Sequence, residues 1–163
     1  MSAACGVATI GGMASLKHDP EELLISGCES HSLDELRAAF DGGLDARARV
    51  RGKTAMQWLT EMYPRSDRFP SCVRLLLDRG AQLDDPAVAP VLLDDAQAVT
   101  ATVKSKPVLL RHTTTLVSTF TPLVNASLLH VAAEYGNAKA ARALIDAGAD
   151  VNEIGRASCR ERV

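Results

Sequence analysis

Four cysteines (Cys5, Cys28, Cys72 and Cys159) and four histidines (His18, His31, His112 and His130) are the residues of this chain best equipped for metal or nucleophile chemistry. Their spacing argues against both. No two cysteines approach the C-x-x-C separation of a zinc or redox site, and the histidines have no metal-ligand spacing among them. Scattered thiols in a mid-sized chain fit a reducing compartment, so the expected location is cytoplasmic. Cys28 and Cys72 read as small buried hydrophobes. Asp94-Asp95 reads as a helix junction rather than a carboxylate pair, and neither Ser118 nor Ser127 sits in a nucleophile-elbow pattern. The chain has no Gly-x-Gly-x-x-Gly, Walker loop or His-Glu-x-x-His. The expectation is therefore a protein that is not an enzyme, with no catalytic residue, cofactor or metal.

One charged motif remains: Arg47, Arg49, Arg51 and Lys53. In an extended strand, alternation would put Arg47, Arg49 and Arg51 on one face. Such a basic tip could meet an acidic partner, or it could be a solvated edge whose charge discourages strand-to-strand aggregation. The chain as a whole carries only −2 net charge over 163 residues, which argues against a nucleic-acid binder. With 47% apolar residues it is not a disordered chain, and no apolar run nears the roughly 18 residues of a membrane span. One Trp, two Tyr and three Phe leave the core to aliphatic side chains and alanine.

The elements that would position these residues are announced by punctuation. Gly43-Leu44-Asp45, Gly80-Ala81-Gln82-Leu83-Asp84 and Gly148-Ala149-Asp150-Val151-Asn152 stand 37 and then 68 residues apart, the second spacing twice 34. A period near 33 marks stacked helical repeats. Each glycine follows an amphipathic helix pattern: Leu33 to Phe40, Cys72 to Arg79, and Ala138 to Ala147. A cation followed by a left-handed glycine, as at Arg79-Gly80, ends a helix well. A second helix precedes each of these. Asp19-Pro20 opens the first, with Glu22 placed to return the capping bond; Thr54 caps the second and Ser127 the last, which stops at Gly136.

These residues resemble the ankyrin repeat, whose pattern is a Gly-x-Thr-Pro-Leu-His-x-Ala-Ala helix, a Gly turn, a Leu-rich second helix, then Gly-Ala-Asp-Val-Asn. Asn125 to Asn152 follows it almost throughout, with Ser127 for the Thr, Leu128 for the Pro, His130 in place, and the closing motif at 148–152. Gly52 to Asp84 follows it more loosely: Ala55, Met56 and Gln57 stand for Pro, Leu and His, and Tyr63 to Ser71 is longer than the usual turn. Asp19 to Asp45 follows it by helix pattern only.

The resemblance implies an all-α solenoid of stacked helix-turn-helix units with projecting hairpin loops, over residues 19–153, with units at about 19–51, 52–85, 86–124 and 125–153. Thr54, Trp58, Gly80, Ser127, His130, Gly136 and Gly148 would be its structural positions. His130 would bond a neighbouring repeat's backbone, and Trp58 would sit in the core between repeats. The implied function is a protein–protein interaction module that binds another protein, not nucleic acid or membrane, through a concave face. Arg47, Arg49, Arg51, Lys53, Glu61 and Glu134 are its expected exposed contributors. The alternative is a regulatory or targeting part of a larger enzyme lost to truncation.

The third unit departs from the pattern. Asp85-Pro86 is expected to start a helix with the stripe Val88, Val91 and Leu92, and Asp94 or Asp95 another, stopped by Lys106-Pro107. From Val108 to Val124 the run is rich in β-branched residues and reads as a long loop or irregular hairpin, covering the core with Leu109, Leu116 and Phe120. A recognition loop, or a small-molecule site beneath it, is the sharper reading. Residues 1–18 are expected to be a disordered leader. Residues 154–163 resemble the in-frame translation of a sequencing adapter, and are read as an artefactual tail.

Overall fold

The computed structural model describes residues 19–118 and 123–152. The expected leader and tail, and with them Cys5, His18 and Cys159, lie outside the described residues, as does Phe120. Eight α-helices occur among the described residues, in antiparallel pairs. They are α1 (Pro20–Ser30) with α2 (Leu33–Asp41), α3 (Ala55–Glu61) with α4 (Phe69–Asp78), α5 (Ala89–Leu92) with α6 (Ala96–Ser105), and α7 (Leu128–Glu134) with α8 (Ala138–Asp146). A two-residue-per-strand hairpin, β1 (Arg49–Val50) and β2 (Lys53–Thr54), links the first two pairs. A longer hairpin, β3 (Thr113–Leu116) and β4 (Leu123–Ser127), precedes the last.

Within each pair the two helices touch, and each pair also touches a neighbour: α1 lies on α3, α2 on α4, α5 on α7 and α6 on α8. The apolar stripes read from the sequence face these contacts. Leu24, Leu36, Leu59, Phe69, Leu76, Leu92 and Leu144 are all buried in one connected core. Gly27 is what brings α2 close to α1: a Cβ there would sit 2.9 Å from Leu36 Cγ and 3.0 Å from its backbone N.

The second helix of three pairs ends in the same way. Two successive amides bond backward in each: Gly43 and Leu44 to Phe40 and Ala39, Gly80 and Ala81 to Leu77 and Leu76, Gly148 and Ala149 to Ile145 and Leu144. The three glycines have φ of +99°, +93° and +95°. That region penalises any residue with a Cβ, which is why glycine recurs there.

The first helices end differently. His31, Asp94 and Gly136 each occupy the left-handed region, with φ of 52°, 49° and 68°, and each is followed by the residue that opens the second helix. Asp95, not Asp94, caps α6, accepting from the Ala98 amide at 2.9 Å. The continuous helix expected from Asp85-Pro86 is absent. Pro90 has no N–H to give the Pro86 carbonyl, so the chain makes a 3-10 turn over Pro86–Val88 and then the four-residue α5.

Caps follow chemistry. Thr54 and Gln57 form a reciprocal capping box at α3, at 3.2 and 3.0 Å. Asp19 caps α1 through the Glu21 amide at 3.1 Å. The expected return bond from Glu22 does not form, because its carboxylate is engaged by Arg51. Among the described residues of the Val108–Val124 run, Thr113–Leu116 pairs with β4 as an irregular hairpin, with an irregularity between Thr114 and Leu116, and Leu109 and Leu116 lie against the core.

Candidate partner-binding surface

The basic segment does not form the extended strand with Arg47, Arg49 and Arg51 on one face that alternation suggested. Asp45 pulls Ala46 to Ala48 into a turn by accepting from the Arg47 amide at 2.9 Å and, through its carbonyl, from Ala48. Strand pairing covers only Arg49–Val50, and Arg51-Gly52 turn the corner with φ of 49° and 85°. Two consecutive positive φ values match the right-handed twist of a tight hairpin.

The four cations are thus sent in different directions. Arg51 is paired with Glu22 of α1 at the surface, and Lys53 with the largely covered Glu61 of α3, so each has a carboxylate within the chain. Lys53 also lies 4.9 Å from the Trp58 ring centre. Arg47 Nε donates to the Gly80 carbonyl at 3.4 Å and Arg49 Nη1 to the Gly52 carbonyl at 2.8 Å. Neither has a carboxylate partner among the described residues. Trp58 is half-buried against the core, and its indole N–H donates to the Val50 carbonyl at 2.9 Å, which fixes the hairpin to α3.

Glu61 and Glu134, expected as exposed contributors, are largely covered: their side chains are 18% and 23% exposed. Glu134 belongs to a cluster that sequence reasoning missed. Arg65, in the turn between α3 and α4, gives all five of its donors. Nε goes to the Glu134 carbonyl, Nη1 to the Met62 and Pro64 carbonyls, and Nη2 to Ser118 Oγ and Glu134 Oε1. Ser118 Oγ adds a 2.6 Å bond to the same carboxylate. The guanidinium also covers the Tyr135 ring at 4.6 Å. Tyr135 in turn stacks on Phe69 at 4.8 Å and donates its hydroxyl to the buried Thr60 carbonyl at 3.0 Å. Burial pushes the Tyr135 phenol above its ordinary range, with Arg65 pulling it partly back. The lengthened turn is therefore a strut from the second helix pair to the fourth. Nothing in the sequence but its extra length marked it.

The histidines are structural in three different ways. His31 is buried; its Nδ1 lies 2.7 Å from Ser66 Oγ, and its Nε2 has no partner among the described residues. Burial, and then the nearby Arg65 and Arg68, hold it neutral by lowering its pKa. His112 Nε2 lies 2.6 Å from Asp85 Oδ2, anchoring the long hairpin. Burial alone would raise the Asp85 carboxyl. Hydrogen bonds from His112, Thr114 and the Ala87 amide outweigh it and hold the carboxyl below its ordinary value. His130 Nδ1 lies 2.7 Å from Ser127 Oγ at the start of its own helix.

Cys28 and Cys72 are fully buried free thiols. Burial pushes Cys72 up to about 11, against a small opposing pull from Arg68, and pushes Cys28 higher still. Thiols held protonated are poor nucleophiles. Among the described residues no three His, Cys, Asp or Glu gather as a metal site, and no helix is long and apolar enough to cross a membrane. The space beside the Pro107–Arg111 turn is an open groove of about 810 Å³ reaching Gly148 and Asp150, and no residue of β3 or β4 lines it. Arg111 and Asp150 are the charged side chains lining it, which is not a set of convergent polar groups.

Ser127 caps α7, Gly136 and Gly148 take the left-handed turns, and α8 closes back on α7. This last unit, residues 125–156, matches the family model of the ankyrin repeat. The chain contains an ankyrin repeat. No curated protein and no solved structure is significantly similar to the chain. Ankyrin repeats generally mediate protein–protein interaction, and they are typically non-catalytic. Across the junction into this ankyrin repeat, Asn137 leaves its own helix uncapped. Its buried amide donates to the Val91 and Leu92 carbonyls of α5 at 2.8 and 3.3 Å. Asp94 reciprocates, its carboxylate accepting from the Ala140 amide at 2.8 Å.

Proposed function

We propose that this chain is a non-enzymatic protein-binding module of a reducing, cytoplasmic environment. In this reading four ankyrin-like units, about 19–51, 52–85, 86–124 and 125–153, stack as a solenoid. A partner protein binds its concave face and hairpin tips, with no nucleic acid or membrane involved. The observation that carries the reading is the state of Arg47 and Arg49. Arg49 sits exposed on a hairpin fixed by Trp58 and Arg47 in the turn that leads into it, and both hold only backbone carbonyls, so each charge stays available to an acidic partner. A preset hairpin loses little conformational freedom on binding. Arg51, Lys53, Glu61 and Glu134 contribute by holding that surface in shape, since their charges are matched within the chain. The two buried free thiols support a reducing environment.

Immobilised chain should capture an acidic protein from lysate, and the double variant Arg47→Glu/Arg49→Glu should lose it with an unchanged melting temperature. Retention of the same partner by the double variant would reject the hairpin as the binding surface.

A further inference from the structure

The second helices of the last two pairs, α6 and α8, pack side by side, and their outward side carries two shallow depressions. One, about 480 Å³, lies between the helices and is lined by Ala96, Thr100, Ala138, Lys139, Arg142, Ala143 and Asp146. The other, about 450 Å³, runs along α6 over Ala96, Gln97, Thr100, Ala101 and Lys104. They meet along Ala96 and Thr100.

The spacing explains the shape. Ala96, Thr100 and Lys104 recur every four residues and share one face of α6. Lys139, Arg142 and Asp146 follow at three and four residues on α8. The floor is made of small side chains, and the Thr100 hydroxyl is turned inward to the Ala96 carbonyl at 2.8 Å. Little stands up from the bottom, while three long cations stand at the rim.

Those cations are free. Among the described residues the side chains of Lys104, Lys139 and Arg142 take part in no ion pair or hydrogen bond, and all three residues are exposed. They contrast with Arg51, Lys53, Arg65 and Arg79, each of which is matched to a carboxylate. Asp146 is the one carboxylate lining either depression, and it is the last residue of α8.

We infer that this groove is a second docking surface, separate from the hairpin face, and that its occupant is an acidic peptide segment of a partner protein. The rim offers three unmatched positive charges against one negative, which complements acidic side chains. The alanine floor allows the peptide's backbone or short side chains to approach closely. Asp146 sets direction, by repelling carboxylates from one end of the groove and favouring a basic residue there. A nucleic-acid strand fits worse. Such sites pair cations with aromatic stacking platforms, and no aromatic side chain lines either depression.

Fluorescence anisotropy of a fluorescein-labelled peptide of four Glu-Ala-Glu units, titrated with the full chain at low salt, tests this. Binding should weaken steeply with added salt. It should fall about tenfold or more in Lys139→Glu/Arg142→Glu and by a smaller factor in Lys104→Glu, with helical circular dichroism intact. The conservative exchange Lys139→Arg/Arg142→Lys should keep it, and Arg74→Glu, an exposed cation of α4 outside both surfaces, should leave it within twofold. The inference is overturned if the chain does not bind the peptide, if Arg74→Glu loses as much as the groove variant, or if a 15-mer of thymidylate binds as tightly as the peptide.

Discussion

The junction between the first two helix pairs and the junction that seats the ankyrin repeat of residues 125–156 are built from different materials. At the first, Leu24, Cys28, Leu36, Ala55, Leu59, Phe69 and Cys72 meet as an apolar layer. At the second, Leu92, Val99, Val131, Ala140 and Leu144 continue that layer, and side chains also cross to backbone: Asn137 to the carbonyls of Val91 and Leu92, Asp94 to the Ala140 amide, and Tyr135 to the Thr60 carbonyl. The reason lies in the length of α5. With only four residues it offers little apolar surface, and although the turn after it bonds back to the Ala89, Pro90 and Val91 carbonyls, Leu92 receives no such amide. The Asn137 amide of the neighbouring repeat supplies that donor and adds a second one to Val91. An apolar junction fails by degrees when trimmed. A polar one fails by leaving a buried group without a partner, which costs about 1–3 kcal/mol each.

The comparison is broken most severely at the apolar junction. Phe69 is fully buried between the His31 and Tyr135 rings, so Phe69→Ala should cost about 3–5 kcal/mol in urea unfolding. Next comes Asn137→Ala, which removes the side-chain donor to the Leu92 carbonyl while the Val91 carbonyl keeps the Asp94 amide, and should cost about 1–2 kcal/mol. Combining it with Asp94→Ala should cost less than the sum, since both belong to one exchange. Arg65→Ala follows. Its pair with Glu134 is partly solvated, so the expected loss is about 1–2 kcal/mol despite five hydrogen bonds. A smaller effect is read in pH. His31 is held below its ordinary 6.5 in the folded chain, so the unfolded chain takes up the proton first as pH falls. Stability should be full above that value and decline as pH drops through it. His31→Asn, a residue that tolerates the same left-handed backbone, should flatten that decline in melts run from pH 7.5 to 5.5.

Much of this frame was legible because it repeats. Gly43, Gly80 and Gly148 announced identical turns, and Thr54 and Ser127 announced caps, because in each the residue type is nearly forced by the local geometry. The first-helix turns were hidden by the same logic in reverse. His31 and Asp94 fill the left-handed position where Gly136 stands in the last pair, so no glycine rhythm marked them. Alternation misread Arg47 to Arg51 because Asp45 and the Arg51-Gly52 turn bend the backbone on either side of a strand two residues long. The strut from Arg65 to Glu134 spans 69 residues of sequence, a distance over which no spacing rule operates. The matching of Arg51 and Lys53 by Glu22 and Glu61, which leaves Arg47 and Arg49 as the available pair, likewise exists only in space.

The central claim is that each helix pair depends on its neighbour for half of its buried face. It is tested most directly by circular dichroism melting of residues 125–152 alone beside residues 19–152. The account predicts one cooperative transition for the longer chain and none for the shorter, whose helical signal should be that of an unfolded peptide. A sharp, cooperative melt of the isolated 125–152 segment would contradict it.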